Sequence, residues 1–427
     1  GDIYISPPGK PDPKDRMISR KPEELQQSLW QLVFDNSYYP VDEGVWPRYN
    51  LNEKETLVNR HVMSDSGPWI NPWEPAVGSE KSWKRGPTMS YAGAGEGSLV
   101  FHPIPPGLPA NVAENYPPYG LNTLGYNNDL YADDIGSVNE FAPRSVVGDL
   151  RLETVWTPRE AGATSIKLVL GRPNNCYRVT WNEKGLTLER YGPEPKNPDK
   201  WSFGPVTQMN LATGTREAAE ADIATSIPVP VPGQSYQLAL NNVDRAVQFY
   251  IDGKKVLSFQ ENWNAALAMD DVQKNPADWS NSPQVAEAMR LKQQDRVNTM
   301  IQVDMGGPGE LSHLKVMRDL YYTQTTPQWA LNHGQGTATQ NNPLTLGQDE
   351  FFAMGDNSRK SSDGRLWDRV YPPLGDLGLR PGIVPRRYLL GKAFFVYWPA
   401  GFTISKDVPV VRDLPLVPNA GGMRVIR

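Results

Sequence analysis

The chain has 427 residues, of which 39 % are hydrophobic and 21 % charged, and its formal net charge is −5. This composition excludes a disordered chain, and the absence of a basic stripe with interleaved aromatics argues against nucleic-acid binding. No run of 18 apolar residues occurs to span a bilayer, and the single cysteine, Cys176, excludes an internal disulfide.

The 40 prolines are about twice ordinary usage. Proline lacks an N–H and interrupts helices and interior strands. A mainly β fold of short strands, many turns and long ordered loops is therefore expected, with the 13 tryptophans supplying apolar surface to hold the loops. Gly1-Asp2-Ile3-Tyr4-Ile5 alternates like a strand already in progress, ended by Pro7-Pro8, and reads as the continuation of an upstream segment. A polar loop over 9–20 leads into an amphipathic helix expected over 22–34. Pro22 suits its first position and Glu23 and Glu24 its dipole. Leu25, Leu29, Leu32 and Val33 form its apolar face, widened by Trp30 and Phe34. Residues 37–145 show little periodicity, although Ser98–Phe101 reads as a short strand.

From residue 146 the pattern changes to repeated strands. Leu150, Leu152, Thr154 and Trp156 alternate with Arg151, Glu153 and Val155, and Ser165–Leu170 follows. Tyr177–Trp181 and Leu186–Leu188 form a hairpin around Asn182-Glu183-Lys184-Gly185. Gln248–Ile251 and Lys254–Leu257 form another, whose Asp252-Gly253 pair suits a type I′ turn. Repeated short strands with turn signals predict a β-sandwich. A polar helix is expected over 282–296, capped by Ser282 with Pro283 in its first turn. Strands resume at 299–304 and 311–322, and a polar loop covers 323–347.

The last eighty or so residues carry the motifs. Residues 350–367 read EFFAMGDNSRKSSDGRLW and residues 384–399 read VPRRYLLGKAFFVYWP. Both resemble the boxes of bacterial type I signal peptidases, the membrane-anchored Ser/Lys proteases that remove signal peptides from exported proteins. The family pattern is G-D-N, three residues, then S-x-D-x-R, matched here by Gly355, Asp356, Asn357, Ser361, Asp363 and Arg365. It continues with V-P, I-x-G-K-A and a strand ending W-P. Val384-Pro385, Leu390-Gly391-Lys392-Ala393 and Trp398-Pro399 answer it, and the opening GDIYI resembles the family strand that follows the general-base segment.

The resemblance implies acyl transfer by a Ser nucleophile with a Lys base and no cofactor. Such a Lys must be neutral near working pH, which requires burial in an apolar site. By resemblance Ser361 aims that amine. Asp363 and Arg365 pair to brace the loop beneath the site, and Asp356 and Asn357 bond backbone N–H groups in the turn. The implied substrates are signal-peptide-bearing preproteins, and the implied location is the outer, periplasmic face of the bacterial cytoplasmic membrane, reached through an N-terminal anchor. The family's nucleophile segment, S-M-x-P, and its base segment, K-R-x-x-G, do not occur in this sequence. Pro87-Thr88-Met89-Ser90 holds similar residues in the wrong order. The catalytic Ser and Lys are therefore expected upstream of Gly1 and the chain alone is expected to be inactive; a catalytically dead homologue is the other reading.

Other candidates are weaker. Ser312-His313-Leu314-Lys315 matches S-x-x-K, but on a regular strand an offset of three points Ser and Lys to opposite sides. Asn127, Asn128, Asp129, Asp133 and Asp134 make an oxygen-rich loop of the kind that holds calcium, without EF-hand spacing; a solvated loop is the favoured reading. His61, His102, His313 and His333 are too scattered for a Cys/His zinc site. Cys176 reads as a small buried residue. Residues 146–322, through VDRAVQFYIDGKKV and LSHLKVMRDLYY, resemble a concanavalin-like or laminin-G-like jelly roll, which implies a glycan or protein ligand or a purely structural insertion.

The expected architecture is thus mainly β and split. Residues 1–36 and 335–427 form part of a signal-peptidase β-fold. Residues 37–145 are an irregular part of an insertion, 146–322 its jelly-roll sandwich and 323–334 a linker. The alternative function is a carbohydrate- or protein-binding sandwich on a dead peptidase scaffold.

Overall fold

The computed structural model describes residues 3–10, 12–38, 48–49, 63–64, 71–102, 148–160, 164–172, 174–274, 299–320, 337–338, 342–355, 363–367, 379–391, 395–396 and 424–425. Its strands are β1 (Tyr4–Ile5), β2 (Met17–Ile18), β3 (Gln31–Asp35), β4 (Arg48–Tyr49), β5 (Met63–Ser64), β6 (Trp73–Pro75), β7 (Trp83–Lys84), β8 (Met89–Tyr91) and β9 (Glu96–Phe101). The series continues with β10 (Leu150–Pro158), β11 (Ser165–Arg172), β12 (Asn175–Asn182), β13 (Gly185–Glu194), β14 (Asn197–Pro205), β15 (Thr207–Met209), β16 (Arg216–Ala218), β17 (Asp222–Ile223), β18 (Tyr236–Val243), β19 (Ala246–Ile251) and β20 (Lys254–Gln260). It closes with β21 (Met300–Gly306), β22 (Gly309–Arg318), β23 (Glu350–Phe351), β24 (Val384–Pro385), β25 (Phe395–Val396) and β26 (Arg424–Val425). The fold is mainly β, and its strand pairs are antiparallel.

The chain divides into two compact units, Gly1–Leu124 with Asp129–Tyr322, and Gly125–Asn128 with Thr323–Arg427. The first unit is a sandwich. One sheet runs β17-β20-β19-β18-β10-β22-β8-β7, with β3 also on β22; the other runs β14-β13-β12-β11-β21-β9-β6. Period-two alternation turns one set of side chains inward on each strand. Leu150, Leu152 and Trp156 of β10 and Leu311, Leu314 and Val316 of β22 face Tyr177, Val179 and Trp181 of β12 in one core. Trp181 stands edge-on to Trp156 at 5.5 Å and to Tyr236 at 4.9 Å, tying the sheets together. The β19–β20 hairpin turns through Asp252 (φ 51°) and Gly253 (φ 75°), the positive-φ pair that a type I′ turn requires.

Three expectations are corrected. The helix covers only Glu23–Leu29, and Gln31–Asp35 is a strand paired with β22. LWQLVF satisfies helical and strand periods alike, and the sheet partner decides. Leu25 and Leu32 of the expected apolar face are exposed, whereas Gln26 is buried. Secondly, the sandwich begins well before residue 146. Strands β3 and β6–β9 belong to its two sheets, and residues 1–36 lie in the same unit. Trp73, Met89, Leu99 and Phe101 are buried in its core. Thirdly, β22 carries a bulge: Ser312 sits opposite Val155 and Lys315 opposite Glu153, with His313 at φ 50°. The extra residue brings Ser312 and Lys315 to the same side of the strand. The helix expected over 282–296 lies outside the described residues. Ala265–Lys274 forms a helix that periodicity did not signal. No described helix is long and apolar enough to cross a membrane.

In the second unit β23 pairs with β24, Phe351 opposite Val384, and β25 pairs with β26. The first of these ladders joins the two motif-bearing segments.

Candidate functional site

The second unit's motif residues converge on Asp363. Its side chain and that of Arg365 are both buried, at 8 % and 6 % exposure. Arg365 donates from Nε to Asp363 Oδ1 at 2.8 Å and from Nη2 to Oδ2 at 2.6 Å, a fork-to-fork pair. The Gly355 N–H donates to Oδ2 at 2.8 Å and the Arg365 N–H to Oδ1 at 3.1 Å. Burial pushes the Asp363 carboxyl up, but the Arg365 guanidinium and the Gly355 and Arg365 N–H groups together hold it below the ordinary value. The carboxylate thus ties the residue that opens G-D-N to the segment that ends S-x-D-x-R.

Backbone contacts extend this knot. Gly364 N–H donates to Ala353 O at 3.0 Å, and Thr337 N–H to Arg365 O at 2.9 Å. Thr337 Oγ1 donates to Gly364 O at 2.6 Å. A Cβ on Gly364 would lie 2.9 Å from the carbonyl oxygens of Ala353 and Gly382. Gly382, at φ +76°, would place its own Cβ 2.9 Å from Gly364 O. Neither position has room for a side chain, so the loop that leads into β24 lies directly against the Asp363–Arg365 turn. Thr337, Gly364 and Gly382 did not emerge from the sequence. The glycines in SSDGR and RPGI were the available signals.

Of the six motif residues, Gly355, Asp363 and Arg365 are brought together. Asp356, Asn357 and Ser361 lie outside the described residues, as do Lys392 and the calcium candidates Asp129, Asp133 and Asp134. Cys176 is fully buried, and burial raises its thiol far above the ordinary value.

Two lysines can be judged as bases. Lys315, on the S-x-x-K strand, faces Asp35 at 3.6 Å. Lys21 lies in the first unit among Asp149, Asp244 and Asp319, a carboxylate trio whose oxygens lie within 4.8 Å of one another. Its Nζ is 2.6 Å from Asp319 Oδ2 and 3.1 Å from Asp244 Oδ2. Burial pulls the ammonium down, but Asp319 and Asp244 outweigh it and hold Lys21 well above its ordinary value. These pairs favour the charged amine and latch the N-terminal segment to the sandwich. Lys21 is the opposite of a neutral base.

On the side of the second sheet facing away from the core, Tyr191, Trp201 and Phe203 form an aromatic group, with centroids 5.6 Å and 5.1 Å from Tyr191. Arg178 lies over Phe203 at 4.4 Å and donates to Glu189 at 2.7 Å.

A family model described as signal peptidase, peptidase S26, matches residues 229–398. No curated protein matches the chain. Among solved structures, the carbohydrate-binding module CBM66 from Bacillus subtilis is 8 % identical with a TM-score of 0.27, covering 58 % of this chain and 96 % of its own. The galectin LEC-6 of Caenorhabditis elegans is 11 % identical with a TM-score of 0.20, covering 40 % of this chain and 82 % of its own. A Crh5 transglycosylase in complex with NAG is 9 % identical with a TM-score of 0.25, covering 58 % and 79 %.

Proposed function

We propose that the second unit serves a signal peptidase of the S26 type, a serine endopeptidase that removes signal peptides from exported preproteins at the outer face of a bacterial cytoplasmic membrane. The observation that carries this reading is the buried Asp363–Arg365 pair holding the Gly355 N–H, which makes one structure of the two ends of the G-D-N…S-x-D-x-R box. The S26 match over residues 229–398 supports it. In this reading the pair is a brace beneath the catalytic groups. Ser361 then aims a neutral Lys amine while a Ser hydroxyl attacks the scissile carbonyl. Lys21 is not that base, since Asp319 and Asp244 hold it as a cation. The sequence carries neither S-M-x-P nor K-R-x-x-G, so this chain by itself is proposed to be inactive. The test is cleavage of a signal-peptide substrate by the chain and by a longer gene product bearing those segments. Cleavage by the longer protein, lost in Arg365→Met, supports the reading; cleavage by the 427-residue chain alone overturns the claim of inactivity.

A second reading has its own observation. The outward aromatic group Tyr191, Trp201 and Phe203 beside the Arg178–Glu189 pair combines flat apolar surface with oriented polar groups, as a sugar or protein ligand requires. A glycan array probed with the whole chain and with Trp201→Ala tests it.

A further inference from the structure

Three consecutive apolar side chains stand exposed just after β24 in the second unit. Tyr388 is 41 % exposed, Leu389 52 % and Leu390 fully. Single exposed apolar residues are ordinary on a protein surface, but a contiguous group calls for a partner. Gly391 follows, and a Cβ there would meet only open space. The backbone that carries the group is held in place. Arg386–Tyr388 form one 3-10 turn, closed by the Leu389 N–H on Arg386 O at 3.0 Å. The Arg386 N–H donates to Asp349 O at 2.8 Å, and its Nε to Asp349 Oδ1 at 2.6 Å. Its guanidinium lies 5.3 Å from the centre of the Phe351 ring, and Phe351 pairs with Val384 in the β23–β24 ladder. Arg387 lies over the Tyr388 ring at 5.2 Å, which sets a cation and an aromatic beside the leucines. A turn fixed in this way loses little conformational freedom when it docks.

The charge of this stretch of sequence has one sign. Between Asp376 and Asp407 there is no acidic residue, whereas Arg380, Arg386, Arg387, Lys392 and Lys406 supply five positive charges. Glu350 and Asp349 pair with Arg380 and Arg386, and Arg387 and Lys392 bracket the leucines in sequence. The whole chain carries a net charge of −5, so an anionic surface repels it overall and attracts this segment. Aliphatic side chains for the acyl boundary, an aromatic for the headgroup level and basic residues for anionic headgroups together hold a protein on a bilayer surface.

We propose that Arg386–Leu390 is a docking tip for a bilayer bearing anionic phospholipid, with Leu389 and Leu390 entering the acyl boundary and Arg387 and Tyr388 at the headgroups. The peptidase reading puts the second unit near a membrane; this inference goes beyond it by making lipid a direct partner of this turn. Vesicle binding is read without any cleavage, so either reading can fail alone.

The test is co-sedimentation of the whole chain with vesicles of phosphatidylglycerol and phosphatidylcholine in equal parts, against phosphatidylcholine alone. Reversible binding to the mixed vesicles is expected, weakening as salt is raised, with several-fold weaker binding to phosphatidylcholine. Leu390→Asp should weaken binding roughly 10- to 100-fold, the loss implied by keeping one leucine out of an apolar phase. Arg387→Gln should weaken it roughly fivefold, as removal of one cation near an anionic surface implies. Val77→Asp, which charges a 98 % exposed apolar residue of the first unit, should leave it unchanged. All three positions are exposed, and an unaltered unfolding temperature verifies that the variants fold. No binding, equal binding to the two kinds of vesicle, undiminished binding in Leu390→Asp, or self-association that Leu390→Asp abolishes in the absence of lipid binding overturns the proposal.

Discussion

Replacing Arg365 by Met leaves the Asp363 carboxylate buried with only the Gly355 and Arg365 N–H groups to hold it. Breaking one half of a buried ion pair costs about 3–5 kcal/mol, because the remaining charge is uncompensated. At about 1.36 kcal/mol per decade, the loss corresponds to opening that is roughly 150- to 5,000-fold more frequent. Hydrogen exchange read on peptides covering 350–367 reports it directly, since the Gly355 and Gly364 amides donate into this knot. Asp363→Asn should cost less, because an amide oxygen still accepts from Gly355. The double variant should fall short of the summed single costs by about 1–3 kcal/mol, as residues in direct contact do. The pH response gives a second reading with a fixed sign. In the unaltered chain the Asp363 value is depressed, so its contribution is present above the ordinary Asp value of about 3.9 and is lost as pH falls through the lower native value. Without Arg365, burial, the largest influence on this carboxyl, should raise the value instead, and protection should then increase as pH falls from 7 toward 4. Exchange accelerated less than tenfold, or an unchanged pH response, would refute the view that this pair holds the loop.

Trp181→Ala removes the ring that meets both Trp156 and Tyr236 and should cost about 3–5 kcal/mol in urea unfolding of the sandwich. Gly382→Ala forces a side chain into the left-handed region, at about 1–2 kcal/mol before the 2.9 Å approach to Gly364 O is counted; faster exchange of the Gly364 amide is the readout. Asp304 is raised first by burial and further by Glu96, against hydrogen bonds from Ser98 and Gln302. Its ionisation opposes folding, so stability should fall as pH rises from about 3.9 through the higher native value. Asp304→Asn should flatten that slope and stabilise the chain at pH 7 by denaturant titration.

The legible parts of the fold were those whose signals are local. The β19–β20 hairpin was read because Asp252-Gly253 states its own turn chemistry. The tight turn at Asp244-Arg245, with φ of 49° and 57°, was not, because neither residue advertises a positive φ. What holds that turn lies far away in sequence: Lys21 on the Asp244 carboxylate and Glu261 beside Arg245. The sequence of β3 fits a helical period as well as a strand period, and what decides between them, its partner β22, is equally distant. The bulge at His313 also left no trace, yet it reverses the side that Lys315 presents. In the second unit the Asp363–Arg365 pair could be named from spacing and resemblance, whereas the contacts of Thr337, Gly364 and Gly382 are made largely by backbone and are invisible to residue type.

The N-terminal latch carries a consequence for biogenesis. Lys21 meets Asp319 across 298 positions, and Gln26 donates to the same carboxylate across 293. During synthesis β3 and β8 must wait for β22, and β9 for β21, before their ladders can close. Topologies of such high contact order close slowly and expose unpaired edges meanwhile. Maturation should therefore be late and abrupt, and truncation ahead of residue 318 should yield chains that chaperones retain.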